Sequence, residues 1–397
     1  MHPSAPHQDL PLTGKGVSGD PYLICFSHLR WDFVFQRPQH LLTRAATSYR
    51  VIYIEEPVHA DIPDARLDLR RADGGVEVAV PVLPNGISAA DALAVQRRLV
   101  DELLAVRDRG LTIFWYYTPM ALDFTDPSRA DVVVYDNMDE LSAFRGAPPA
   151  LLQNEQKLMA AADLVFTGGV SLYEAKKGRH PHLHAFPSSI DTAHFAAARG
   201  SVEEAPDQAT IAHPRIGFFG VIDERMDVEL VGALAVLRPA YQFVMIGPVV
   251  KIDPADLPQA PNIHWLGGRT YRDLPAYLAG WDAGFMPFAL NESTRFISPT
   301  KTPEFLAAGI PVVSTEITDV VRPYGTAGLV EIEATASAMA EAVDRLLARP
   351  REAWLESVDA FLSTTSWDRV FAEMNGLIET AAEASHDVAP PRARAAG

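Results

Sequence analysis

The chain has 397 residues, 48% of them hydrophobic and 21% charged, with a formal net charge of −17. That length and apolar content allow two domains with cores of their own, while the acidic balance argues against nucleic acid as a partner, which needs clustered Lys and Arg. The single cysteine, Cys25, lies in an apolar run; this excludes a disulfide framework and a Cys-based metal site and reads as an inert core thiol.

No stretch approaches the roughly 18–20 apolar residues of a membrane span, and residues 1–20 lack the apolar segment of a signal peptide, so the expected location is the cytoplasm. Residues 1–200 carry 19 Lys+Arg against 24 Asp+Glu, or −5, and the remainder 15 against 27, or −12. Any peripheral contact with the inner face of an anionic membrane is therefore expected through the N-terminal half.

Residues 1–20 are polar and rich in Pro, Gly and His, the composition of a disordered segment. Gly14, Gly16 and Gly19 spell G-x-G-x-x-G, but a dinucleotide fingerprint follows a strand, and this one precedes the first apolar run, 22–26. A nicotinamide-dependent dehydrogenase is the weakest reading. A polar loop, SHLRWDFVFQRPQH, then runs into a helix near Pro38. Ligands of doubly wound folds sit at the carboxyl ends of the strands, so His28, Arg30, Asp32 and Arg37 are candidates to face a cleft. Each has a plainer reading as a solvated loop residue or a cap.

Strands are predicted at 51–54, 76–80, 112–117, 132–135, 164–167 and 183–186, with helices near 90–107 and 150–161. Short apolar runs separated by helices predict a parallel sheet covered on both faces. In VVVYDNMDELSAF, residues 132–144, four apolar positions lead to Asp136, Asp139 and Glu140. Carboxylates at one strand's carboxyl end suit general-base work on a hydroxyl nucleophile. Asp139 is the first choice and Asp32 the second, with Asp136 beside them; the plainer reading makes these residues helix caps. His180, His182 and His184 alternate, but without a carboxylate or Cys partner they read as surface histidines.

Residues 196–213, polar and rich in Ala and Glu, read as a linker. A second domain opens at Arg215 with IGFFGVIDERMD, where Gly217 and Gly220 permit close backbone approach and Arg225 falls at the expected helix start. A strand at 242–246 ends in Gly247. After the apolar run 283–288 comes a polar loop with Asn291 and Thr294, then Ser298 before Pro299, the chemistry of an N-cap followed by Pro at the first helical position. Gly309 sits where a C-cap glycine ends a helix. Such a helix start attracts anions; Lys301 adds a full charge, and Glu304 shares its face. A phosphate and a hydroxyl-bearing ring could be held side by side, the plainer reading being a capped surface helix with a solvated Lys. Pro303 removes one helical hydrogen bond, and a helix beginning at Thr302 and Pro303 would re-aim Lys301 against Glu304. A strand near 328–330, an amphipathic helix at 336–347 and a last helix from Ser366 complete the chain.

The stretch 299–313 resembles the donor-binding core of bacterial GT-B glycosyltransferases with the signature P-x-K-x-x-E-x-L-A-x-G-x-P-V-V. Pro299, Lys301, Glu304, Leu306, Ala307, Gly309, Pro311, Val312 and Val313 fill its fixed positions. The opening D-x-x-x-Q-R-P-Q-H-L, from Asp32, recurs in the same group, whereas the Gly-Gly loop that many of its enzymes carry there is missing. The resemblance, over residues 20–380, implies an α/β GT-B fold: two Rossmann-like doubly wound domains facing a cleft. The expected division is a disordered 1–20, an acceptor-binding domain at 21–195, the linker at 196–213 and a nucleotide-sugar-binding domain at 214–365. A helix at 366–384 then crosses back to the first domain, ahead of a disordered tail at 385–397.

It further implies that Lys301 contacts a nucleotide diphosphate, Glu304 the ribose, and Gly220 and Arg225 the diphosphate again. The backbone around Leu266 and Gly267 would pair with the base, uracil and guanine both being open. Gly247, Asn291, Thr294 and Ser298 complete the donor side, and Ser188, Ser189 and Asp191 form a turn facing the cleft. The implied activity is sugar transfer from a nucleotide-sugar donor, UDP-linked first, to a hydroxyl of a glycan or lipid-linked acceptor. No two aspartates are separated by one residue, so there is no D-x-D motif, and metal-independent catalysis without a cofactor is expected. A sugar-nucleotide epimerase of the same fold and a non-catalytic partner subunit stay open, since fold alone does not settle activity.

Overall fold

The computed structural model describes residues 19–106 and 110–388, so the terminal segments expected to be disordered lie almost wholly outside the described residues. The first domain runs β1 (Tyr22–Phe26), α1 (Arg37–Ala45), β2 (Arg50–Ile54), β3 (Val58–Ala60), β4 (Arg66–Arg71), β5 (Glu77–Pro84) and α2 (Ala89–Ala105). It continues with β6 (Thr112–Tyr116), β7 (Val132–Asn137), α3 (Leu151–Ala161), β8 (Leu164–Thr167), α4 (Val170–Lys176) and β9 (Leu183–Ala185). The second holds α5 (Thr192–Ala196), β10 (Arg215–Phe219), α6 (Val228–Leu237), β11 (Gln242–Ile246), β12 (Ile263–Gly267), α7 (Leu274–Leu278) and β13 (Ala283–Met286). Then follow α8 (Lys301–Ala307), β14 (Val312–Ser314), α9 (Thr318–Val320), β15 (Glu331–Ile332), α10 (Ala336–Ala348), α11 (Glu352–Leu362) and α12 (Trp367–Val388).

Two sheets result. The first is ordered β3-β5-β2-β1-β6-β7-β8-β9, with β4 antiparallel on β5, and the second β12-β11-β10-β13-β14-β15. All other pairings are parallel. The central strands are buried along their whole length, as YLICF in β1 and TIFWY in β6 show, because helices cover both faces of a parallel sheet. Cys25 is a free, buried thiol of that core.

The expected strands and helices are present, with differences that have physical reasons. The exposed β3 and β4 were not expected: their apolar content is low, although the alternation of Leu67 and Leu69 with charged neighbours carries the two-residue period of a half-buried strand. Residues 196–213 are a packed strap rather than a loose linker. Ala198 and Ala205 join the second core, and fully buried Gln208 donates to the Tyr277 carbonyl at 2.8 Å and accepts from the Trp281 indole at 3.0 Å. Buried Arg215 is held by Glu204 and the Ile211 carbonyl. The polarity that reads as solvated therefore satisfies buried groups. The strand expected near 328–330 forms at β15, and the tail expected from Ser385 is helical to Val388.

The last helix does cross back. Trp367, Phe371, Met374, Ile378 and Ala382 lie three or four residues apart on α12 and pack into the core of the first domain. Trp367 stacks on His40 of α1 with ring centres 4.6 Å apart, and Tyr49 donates to Asn375 at 2.6 Å. Among the described residues no helix is long and apolar enough to cross a membrane. Truncating Trp367 empties a fully buried indole site, so Trp367→Ala should destabilise the chain by about 3–5 kcal/mol. The loss should appear in denaturant melts as a lower midpoint for the first domain, although the residue lies far along the sequence.

Candidate functional site

The carboxyl ends of the two sheets face one another across a cleft of about 780 Å³, open mouth included. Gln36, Arg37, Met138, Asp139, Gly168 and Ser188 line it from the first domain, and Phe218, Val221, Arg225, Met226 and the segment 297–301 from the second.

The second-domain wall is built by α8. The helix begins at Lys301, with Thr300 at the N-cap and no side-chain cap, so Ser298 is not the N-cap that its chemistry suggested. Pro303 falls in the first turn, where amides have no intrahelical partner, and costs the helix nothing there. The far end is a Schellman closure: Gly309, with φ +75°, donates to Leu306 at 2.9 Å and Ile310 donates to Phe305 at 3.0 Å.

Lys301 runs over Gly220, where any Cβ would collide with the lysine side chain, and a Cβ at Gly247 would in turn strike the Gly220 carbonyl. Both glycines hold positive φ, +132° and +152°. The Lys301 ammonium lies 5.9 Å from the Phe218 ring centre and forms no ion pair among the described residues. Burial lowers its pKa, Arg225 adds to the fall, and Glu304 opposes it. Glu304, only 5% exposed, has its carboxyl lifted to about 7 by burial against the pull of Lys301 and Thr300.

Arg225 lies in the loop before α6, not on the helix, and is gripped through Nε and Nη2 by buried Asp223 at 2.7–3.1 Å. Burial works against its charge, but the Asp223 bonds outweigh it and raise the pKa. Asp223, which holds Arg225 in the cleft wall, was not singled out from the sequence; its signal is the acid two places before the arginine in Ile222–Arg225.

Asp139 lines the opposite wall. Its carboxylate makes no hydrogen bond or ion pair among the described residues, and burial raises its pKa while Arg225 and Arg37 pull it down. No helix starts there; a single tight turn, 141–143, follows, so Asp139 is not a cap. The other two proposed carboxylates are corrected. Asp136 is fully buried and spent on the Arg37 fork at 2.9–3.1 Å, with Arg37 also donating to the Phe186 carbonyl at 2.7 Å. Asp32 is 71% exposed and turned outward to Arg70 of β4 at 2.5 Å, a strand the sequence had not disclosed.

The acceptor-side candidates change as well. Arg37 touches the cleft, but three of its N–H groups are committed. Arg30 is held by Glu55 at 2.9 Å and by the Glu56 and Pro57 carbonyls, away from the cleft wall. The His28 ring has an enclosed Nδ1 without a partner, and burial, then Lys251, lowers its pKa to about 4, so it is neutral near pH 7. On the donor side, Leu266 packs on the core, while Gly267 is exposed at the end of β12 with φ +74°. Asn291 and Thr294 staple their own loop: the Asn291 side chain accepts from the Ser293 and Thr294 amides, and Thr294 bonds the Ala289 carbonyl at 2.5 Å. Ser188 reaches Ser298 across the cleft, Ser189 is buried against Thr365, and Asp191 caps α5. His180 is committed to the Ala162 carbonyl rather than to a shared centre with His182 and His184.

Glu304 sets a pH dependence. Its carboxyl is raised from 4.5 to about 7, so between those values the folded chain keeps a proton that the unfolded chain has lost. Its contribution to stability is complete below the lower value, falls as pH rises through the upper one and is level above. Glu304→Gln should remove this slope, the variant gaining on the parent by up to about 3 kcal/mol between about pH 5 and about pH 8 in denaturant titrations.

Residues 213–349 match the family model described as glycosyl transferases group 1. The chain is similar, at 25% identity over 249 residues, to a Bacillus subtilis (strain 168) protein described as the teichuronic acid biosynthesis glycosyltransferase TuaH; the match spans 57% of this chain and 62% of that protein. Two solved structures share the fold. Sucrose-phosphate synthase from Thermosynechococcus elongatus superposes with a TM-score of 0.68 at 15% identity, over 92% of this chain and 100% of that one. Anabaena HepE, in complex with UDP and glucose, superposes with 0.64 at 14% identity, over 91% and 100%. The second domain thus matches the model of the glycosyl transferases group 1 family, and the whole chain shares the two-domain fold of these solved structures.

Proposed function

We propose that the protein transfers a sugar from a nucleotide-sugar donor to a hydroxyl of a glycan or lipid-linked acceptor. One observation carries the reading: an ammonium, Lys301, and a carboxylate, Asp139, neither in an ion pair among the described residues, line the same cleft. A nucleoside diphosphate leaving group needs the first, and an attacking hydroxyl needs the second. Lys301 and Arg225 would meet the phosphates, and Glu304 the ribose. UDP is the first base to try, because the similar Anabaena structure holds UDP and glucose. A glycan acceptor agrees with the name of the Bacillus relative. Exposed Phe33 and Leu69, beside Arg70 on the first domain, support a peripheral route to a lipid-linked acceptor.

In the mechanism, Asp139 takes the proton of the incoming hydroxyl as it attacks the sugar's anomeric centre. Burial raises its pKa against the pull of Arg225 and Arg37, which makes it a better base than an exposed aspartate. Lys301 and Arg225 stabilise the charge that develops on the departing diphosphate; because these cations are already in place, a divalent metal is not required of the donor site.

Calorimetric titration with UDP, GDP, ADP and NAD should show one nucleoside diphosphate binding, and Lys301→Ala should weaken it about 10- to 100-fold, from the roughly 1.5–3 kcal/mol of a bond to a charged group. No binding by the parent, or equal binding by the variant, removes the donor site. In transfer assays, Asp139→Asn should lower kcat by about 10²–10⁴-fold with little change in donor KM, and chelator should leave turnover intact. A loss under about tenfold would take the base role from Asp139, and a chelator-sensitive rate would overturn metal independence.

A further inference from the structure

Gly169 follows β8 and precedes α4 in the first domain. A Cβ there would collide with the Asp319 carboxylate and lie 3.1 Å from Cβ of Ser298, both of the second domain. Asp319 is 6% exposed; its Oδ1 accepts from the Ser171 amide at 3.0 Å, and its Oδ2 has no partner among the described residues. Beside it, the Ser188 hydroxyl donates to the Ser298 carbonyl at 2.6 Å and the Ser188 amide to the Ser298 hydroxyl at 3.3 Å. Gly168, Ser188, Ser298 and Lys301 line the cleft itself. The nearby Arg322–Glu174 pair, 2.6 Å long and half exposed on both sides, is of the kind that contributes little.

A carboxylate closed off from water needs donors, and Asp319 finds its donor on the other domain. The contact is therefore made only when the domains meet in one register, and only because residue 169 has no side chain. We propose that Asp319 is a positioning residue that pins the Gly168–Gly169 turn against the segment 298–301 and so fixes the separation at which Lys301 faces Asp139. Whether that separation governs turnover rests on the transfer reading above; the contact itself does not.

The test is an interdomain distance. Leu152 on α3 and Val236 on α6 are 56% and 77% exposed, and the native Cys25 is buried, so Leu152→Cys with Val236→Cys gives selective spin labelling for double electron–electron resonance. Asp319→Ala and Gly169→Ala should each shift the distribution away from that of the parent and broaden it, with circular dichroism confirming the fold. Asp319→Asn keeps an acceptor oxygen for Ser171 and should restore the parental distribution. Parental distances in the two Ala variants, or an Asn variant as displaced as the Ala one, would overturn the proposal. In transfer assays the Ala variants should lose about tenfold or more in kcat while nucleotide affinity changes less than about threefold. The distance measurement needs neither nucleotide nor acceptor, so it decides the contact even if the parent binds no nucleotide and the transferase reading falls.

Discussion

A positive charge held at the wall of a cleft without a carboxylate is expensive, because the ion gives up water and receives no counter-ion in return. Lys301 is in that position. Its pKa is lowered by burial and by Arg225, and Glu304, the carboxylate that opposes the fall, is itself lifted toward neutrality by the same burial. The surrounding backbone serves this arrangement: Gly220 clears the path of the side chain, Gly247 clears the path of Gly220, and Phe218 presents its ring to the ammonium. An arriving anion completes the set without rearrangement, which is what a preorganised electrostatic site requires.

The first domain handles charge in the opposite way. Arg37 is consumed by Asp136, Arg30 by Glu55, and buried Lys176 by Glu155 and Glu140 at 2.5 and 2.6 Å. These pairs make a stiff wall and leave Asp139 as the cleft carboxylate without an ion pair or hydrogen bond of its own among the described residues. Cation on one wall and anion on the other, neither in an ion pair among the described residues, give the cleft a fixed polarity.

Much of this was legible in the sequence, and for identifiable reasons. The apolar runs of the central strands are continuous because parallel sheets bury both faces, so β1 and β8 could be placed to the residue. The Lys301-to-Val313 run is set by fixed side chains and a Schellman glycine, which survive transcription into a motif. What failed depends on long-range partners. Nothing local says that Asp136 would meet Arg37 ninety-nine positions away, nor that Asp32 would turn toward a charged edge strand. The strap at 196–213 was misread because Gln208 and Glu204 look solvated until Trp281 and Arg215 are brought to them. Asn291 and Thr294 staple their own loop, and the sequence cannot separate that task from a ligand contact, since both draw on the same residue types.

The crossing of α12 has a consequence for synthesis. Five of its residues belong to the core that also contains Leu23, Val51 and Trp115, so the earlier of the two sheets lacks one of its covering faces until α12 has been made. The second sheet, whose clusters draw on residues from Ile190 to Leu362, is complete earlier. Vectorial folding is thereby inverted: of the two domains, the one translated earlier waits, part of its apolar surface uncovered, until the crossing helix emerges.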